Sequence, residues 1–169
     1  MKITSEVLGL KDLEKALKQV EGQTKGKVLR SALRKGAKPV HDDMASDVTT
    51  KFDAQTGQLA ESIKTKTALN KKGSHSIFDA AAYVGVYRNK KAQAATGSAL
   101  DAPVYAYWLE TGVKPHILNP KGAANLLHPG FDGQPFVRPA LINNEEKVIS
   151  TVKKELAVGI ERAIKRQSK

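Results

Sequence analysis

The chain has 169 residues, 28 Lys+Arg against 17 Asp+Glu for a formal net charge of +11, and no cysteine. That length suits one domain able to bury a core without covalent staples, and the absent cysteines exclude a disulfide framework, a cysteine-ligated zinc and a thiol nucleophile. No apolar run approaches the length needed to cross a bilayer, and the opening MKITSEVLGLKDLEK lacks the charged-then-apolar pattern of an export signal, so a cytosolic origin without membrane contact is the expectation.

Residues 1–9 read as a short strand, with Ile3, Ser5 and Val7 on one parity and Gly9 closing the run. Leu10, Leu13, Leu17 and Val20 then recur at three- and four-residue steps. They form the stripe of a short helix whose wet side carries Lys11, Glu14, Lys15 and Lys18. After a break bracketed by Gly22 and Gly26, a longer helical face runs through Val28, Leu29, Ala32, Leu33, Ala37, Val40, Met44 and Val48. Pro39 lies inside it, beside Gly36. A proline there removes a backbone hydrogen bond and clashes with the preceding turn, which predicts a kink or a division.

Thr56-Gly57 marks a turn or helix start. Leu59 and Ile63 keep helical spacing, and Ile63, Thr65, Thr67 and Leu69 then alternate with Lys64, Lys66 and Ala68: a helical turn passing into a strand with one basic face. A second strand is predicted over 81–88, where Tyr83, Gly85 and Tyr87 oppose Ala82, Val84 and Val86. The turn Asn70-Lys71-Lys72-Gly73 suggests that the two strands form a β-hairpin. Residues 89–103 are small, polar and basic and read as a loop. VYAYWLETG, residues 104–112, reads as a short helix stopped by Gly112. Residues 113–134 hold Pro115, Pro120 and Pro129 and read as a second long loop, functional or ordered by a partner. A last helix over about 139–166 opens at Pro139, its stripe running through Ala140, Leu141, Val148, Val152, Leu156, Ile160 and Ile164. The order is that of a single α+β domain over residues 1–169, with a small antiparallel sheet packed against long helices and two long loops.

Nothing in this pattern carries catalysis. His41, His75, His116 and His128 show no metal-ligand spacing. His116 and His128 share a loop but have no cysteine or carboxylate motif beside them, so they read as ordinary loop histidines. Asp42, Asp43 and Asp47 lie within a helical turn of Lys38 and Lys51, which suits helix ion pairs. Glu145-Glu146 suits the positive end of a helix. There is no phosphate-cradling glycine loop and no nucleophile elbow. A non-enzyme without cofactor or metal is the expectation.

Two local constellations remain. Tyr105-Ala106-Tyr107-Trp108-Leu109-Glu110-Thr111-Gly112 holds half of the tyrosines and the only tryptophan. Such a cluster serves equally as core filling or as an anchor for a partner subunit. In Gln134-Pro135-Phe136-Val137-Arg138-Pro139-Ala140-Leu141, two prolines hold the backbone extended and present Arg138 at a helix entry. The net charge concentrates between Ser62 and Lys91, where Lys64, Lys66, Lys71, Lys72, Arg88, Lys90 and Lys91 face the single acid Asp79. This is either a solvated sheet face with edge lysines or a surface toward DNA or an acidic partner.

The ordered motifs GLKDLEKAL (9–17), ALRKGAKPV (32–40), TGQLAESI (56–63), YAYWLETG (105–112) and QPFVRPAL (134–141) resemble the head–tail joining, neck or tail-completion proteins of long-tailed, non-contractile bacteriophages. The resemblance implies an α+β virion subunit, made in the bacterial cytoplasm. Six copies would form a ring between the tail tube and the head connector or stopper proteins, with DNA passing through the lumen. By motif, it implies that Thr56, Gly57 and Leu59 begin the sheet. It also implies that Tyr105, Tyr107, Glu110 and Gly112, and Pro135, Phe136, Arg138, Pro139 and Ala140, belong to the shared interface runs; Trp108 joins them as an aromatic anchor. Two departures stand out: Phe52-Asp53-Ala54-Gln55 where the family often has proline, and Thr111-Gly112-Val113 where it commonly has Gly-Thr. The alternative from charge alone is a small basic nucleic-acid-binding protein acting through phosphate contacts.

Overall fold

The computed structural model describes residues 10–20, 22–52, 57–69, 80–91, 94, 101–119 and 124–167. The predicted strand at 1–9, the 70–73 turn with Lys71 and Lys72, Thr56, and most of the 92–100 stretch lie outside these residues. The elements in chain order are α1 (Leu10–Lys18), α2 (Gly22–Gly36), α3 (Lys38–Lys51), α4 (Gln58–Ser62), β1 (Ile63–Leu69), β2 (Ala80–Val86), α5 (Ala102–Thr111), β3 (Gly112–Val113), β4 (His116–Leu118), β5 (Leu126–His128), β6 (Phe131–Asp132), α6 (Val137–Asn143) and α7 (Glu145–Gln167). The class is α+β. The chain divides into two compact units: residues 1–39, 65–83 and 144–169, and residues 40–64 and 84–143.

In the first unit α2 lies along α7, which also receives α1. Val20, Ile160 and Ala163 are buried, and Leu13, Ala16, Leu17 and Val28 pack against them. Leu13, Leu17 and Val20 of the first stripe, Val28 of the second and Ile160 of the last are therefore packed as read from the sequence, whereas Ile164 of the last stripe is exposed and Ala163 is buried instead. Burial of each large aliphatic side chain is worth about 1.5–3 kcal/mol. Gly36 permits the closest approach, since a Cβ there would stand 2.2 Å from Val152 Cγ2. The predicted division at Pro39 is present. The Ala37 N–H donates the last bond of α2 to the Leu33 carbonyl at 2.9 Å, and Pro39 sits in the first turn of α3, where its missing N–H has no helical partner to lose.

In the second unit, Val40, Met44 and Val48 form the buried face of α3. Leu59, Ile63, Ala102, Ala106, Leu109, Phe136 and Ala140 are buried as well. The helical turn passes into a strand as predicted, with α4 ending at Ser62 and β1 starting at Ile63. Gly57 and Leu59 therefore begin α4, and the sheet starts later than the resemblance implied. The β1–β2 pairing is also present. The Tyr87 N–H donates to the Ser62 carbonyl at 2.8 Å, so the start of β1 meets the end of β2 in antiparallel sense.

Four further features differ from the sequence reading. Among the described residues the strands form three two-stranded sheets rather than one. The predicted loop at 113–134 is a paired hairpin: β3 pairs with β6 through Gly112↔Asp132 and Val113↔Phe131, and β4 pairs with β5 through His116↔His128, Ile117↔Leu127 and Leu118↔Leu126. Pro115 and Pro129 fall at the gap between the two ladders, where a residue without an N–H interrupts no pairing. The predicted helix at 139–166 is two helices, α6 and α7, with a turn at Asn144. The Asn144 carbonyl accepts the Val148 N–H at 2.8 Å and so starts α7, at a residue type that competes with helix interiors and favours caps. In the predicted loop at 89–103, Lys90 and Lys91 are helical.

Candidate assembly surface

The two aromatic and proline-rich motifs form one joint. Ala102, Ala106 and Leu109 are the buried side of α5, while Tyr105 and Tyr107 are exposed and Trp108 is half-buried. Glu110, in the last turn of α5, reaches across to the start of α6. Its Oε2 accepts the Phe136 N–H at 2.8 Å and the Val137 N–H at 3.0 Å, and its Oε1 accepts the Arg138 N–H at 3.3 Å. These are opening amides of a helix, which have no partner within it, and a carboxylate also suits the positive end of the helix dipole. Pro135 and Phe136 offer no capping side chain of their own, so the cap comes from 26–28 residues earlier in the chain.

The backbones close the same joint. The Gln134 N–H donates to the Leu109 carbonyl at 2.7 Å. Gly112 ends α5 at φ 79. A Cβ on it would lie 2.6 Å from the Gly133 nitrogen and 2.8 Å from the Phe131 carbonyl oxygen, so the position requires glycine on both conformational and steric grounds. Phe136 is fully buried and meets Phe52 edge to face, with ring centroids 5.8 Å apart.

The motif residues therefore divide by location. Glu110, Gly112 and Phe136 lie within the joint and shape it. Tyr105, Tyr107, Pro135 and Arg138 are at the surface, and Pro139 is half-buried.

From this joint springs the 112–132 hairpin. Cross-strand partners share a face and successive residues alternate, so Ile117 and Leu127 lie on one face. Leu118 and Leu126 share the other with His116 and His128, whose rings stack at 4.9 Å. His116 Nδ1 lies 2.9 Å from the Lys114 carbonyl, a donor role, whereas His128 Nδ1 accepts the Gly130 N–H at 3.0 Å. Ile117, Leu126 and Leu127 are 63%, 62% and 70% exposed, and Leu118 is 39% exposed. Both faces of this ribbon are thus apolar and open to solvent. The hydrophobic pattern carried this signal, in ILxxxxxxxLL (117–127), but the prolines around it masked the pairing.

The described residues of the predicted basic surface are exposed, but they do not all act alike. Lys64 and Lys66 are exposed on one face of β1, and Lys90 and Lys91 are exposed beyond β2. Arg88 is held in an ion pair with Asp101. A denser basic element went unremarked in the sequence: α2 carries Lys25, Lys27, Arg30, Arg34 and Lys35 and no acid. Its charge is legible in GQTKGKVLRSALRKG, where the cations alternate with the apolar stripe of a helix. Among the described residues, no group of three or more His, Asp or Glu side chains is placed to hold a metal ion, and no helix is long and apolar enough to cross a membrane.

No curated protein and no solved structure gives a match to this chain. A family model described as "Bacteriophage HK97-gp10, putative tail-component" matches residues 11–112, well over half of the chain, from α1 through the glycine that ends α5. The chain belongs to the HK97-gp10-like family of bacteriophage tail components.

Proposed function

We propose that the protein is a non-enzymatic virion subunit that forms a closed ring of six copies at the head–tail junction. The ring completes the tail tube and joins it to the head connector around the DNA channel. Membership of a tail-component family supports the placement in the tail. The observation that carries the assembly role is the 112–132 hairpin, with Ile117, Leu118, Leu126 and Leu127 exposed on its two faces. Short two-stranded ribbons are marginal alone in water, and a patch of this kind marks an interaction site.

The occupant is a second copy of the chain. The same unit bears further exposed apolar side chains apart from the hairpin, Val104 and Tyr107 on α5 and Leu141 and Ile142 on α6. Two different surfaces on one subunit are what a head-to-tail contact needs, and such a contact gives a ring where its rotation closes. Tyr105, Trp108, Pro135, Arg138 and Pro139 border this receiving surface in sequence.

The test is the mass of the purified protein, alone and with its tail tube protein, for wild type and for an Ile117→Ser/Leu127→Ser variant. The wild type forms a closed oligomer in at least one condition; the variant stays monomeric with an unchanged circular dichroism spectrum. A wild-type protein that is a strict monomer in both conditions contradicts the ring. A variant that assembles normally removes the hairpin from it.

A further inference from the structure

The positive charge of the chain has a second focus, independent of the β1 lysines. Within the first unit, α2 and α7 leave an open cleft of about 360 Å³ between them, lined by Thr24, Lys27, Ser31, Lys35, Arg162 and Arg166 among others, with Glu155 as the one acid among the described lining residues. Lys35 is already committed to Glu155 at 2.6 Å. That leaves Lys27, Arg162 and Arg166 as the net charge of the cleft, with the Thr24 and Ser31 hydroxyls as further donors. Arg162 and Arg166 are one helical turn apart and so share a face.

From Thr24 to Lys35 the cleft follows α2 for about 16 Å at 1.5 Å per residue. Among the described residues no aromatic side chain lines the cleft, so these residues offer no platform on which a base stacks. Forked guanidinium donors, an ammonium and hydroxyls are groups that contact phosphate oxygens without reading sequence.

We propose that the α2–α7 cleft binds the phosphodiester backbone of duplex DNA, independently of sequence. The choice of DNA rests on the proposed place of the protein around a DNA channel; the choice of the cleft rests on its own charges. It assigns DNA contact to Lys27, Arg162 and Arg166 rather than to Lys64 and Lys66.

The test is fluorescence anisotropy of a labelled 30-base-pair duplex against the full-length protein across a salt series. Three proteins are compared: wild type, Lys27→Ala/Arg162→Ala/Arg166→Ala, and the charge-matched control Lys64→Ala/Lys66→Ala/Lys90→Ala. Each phosphate contact contributes about 0.9 to the slope of log affinity on log salt. The cleft variant should therefore lose between about 2 and 3 from that slope and bind at least roughly tenfold more weakly at moderate salt. The control should change less than about threefold.

An Arg162→Lys/Arg166→Lys variant keeps the charge and should keep most of the binding, which separates lost contacts from lost folding. Equal losses in the cleft variant and the control, absence of salt-dependent binding by the wild type, or tighter binding of polyglutamate than of duplex each overturn the proposal. A ring that fails this assay overturns the DNA-binding cleft and leaves the ring standing. A monomer that passes it overturns the ring and leaves the cleft.

Discussion

Replacing Glu110 by alanine removes the acceptor for three opening amides of α6, at 2.8, 3.0 and 3.3 Å. Loss of an ordinary helix N-cap costs about 0.5–2 kcal/mol. Here one half-buried carboxylate serves three donors. Two of the bonds are short and charge-assisted, and the helix dipole adds a few tenths more. The expected loss is about 2–3 kcal/mol, or a fall in melting temperature of roughly 5–10 °C for a chain of this size. Because the chain has two compact units, the more specific assay is amide hydrogen exchange. The Phe136, Val137 and Arg138 amides should exchange about 30- to 150-fold faster in Glu110→Ala, with α2 and α7 unaffected. Glu110→Gln keeps a carbonyl acceptor but loses the charge, and should cost about 1 kcal/mol. Exchange at these three amides within about twofold of wild type in Glu110→Ala, or equal damage from glutamine and alanine, would refute the cap as the tie between the two motifs.

Gly112→Ala and Gly57→Ala should separate steric from conformational cost. Both glycines have positive φ, but a Cβ on Gly57 meets nothing within 4 Å, whereas one on Gly112 lies 2.6 Å from the Gly133 backbone. Gly57→Ala should cost about 1 kcal/mol and Gly112→Ala at least about twice that, measured as a shift in urea midpoint; equal costs would contradict the close approach. Phe136→Ala empties a fully buried site and ends the ring contact with Phe52. It should cost about 3–5 kcal/mol, and a loss under about 1 kcal/mol would mean that the joint is not packed as described.

The helices were legible where a stripe and a stop signal coincided. The division at Pro39, the passage from α4 into β1 and the glycine stop after α5 all follow from local chemistry, since proline and glycine act on their own backbone. The hairpin was not legible, because β3 and β6 have two residues each and β4 and β5 three. Two or three residues are too few to show alternation, and the prolines between them signal a loop. The role of Glu110 was hidden for a different reason. A cap is normally sought within three residues of a helix start, and this one comes from the end of the preceding helix. Both motifs were visible, but their joining depends on tertiary structure. The motif residues do not form one surface: Phe136 is interior while Tyr107 is 65% exposed. The charge is conspicuous where it alternates along β1, whereas the five cations of α2 are interleaved with the apolar stripe of a helix and stand out less.

The central claim is tested most directly by electron microscopy of the phage particle with this protein located in the density. The expected result is a closed ring of copies at the head-proximal end of the tail, each 112–132 hairpin seated against the neighbouring copy. Isolated copies, copies placed elsewhere on the particle, or a ring whose hairpins stand free in solvent would contradict it.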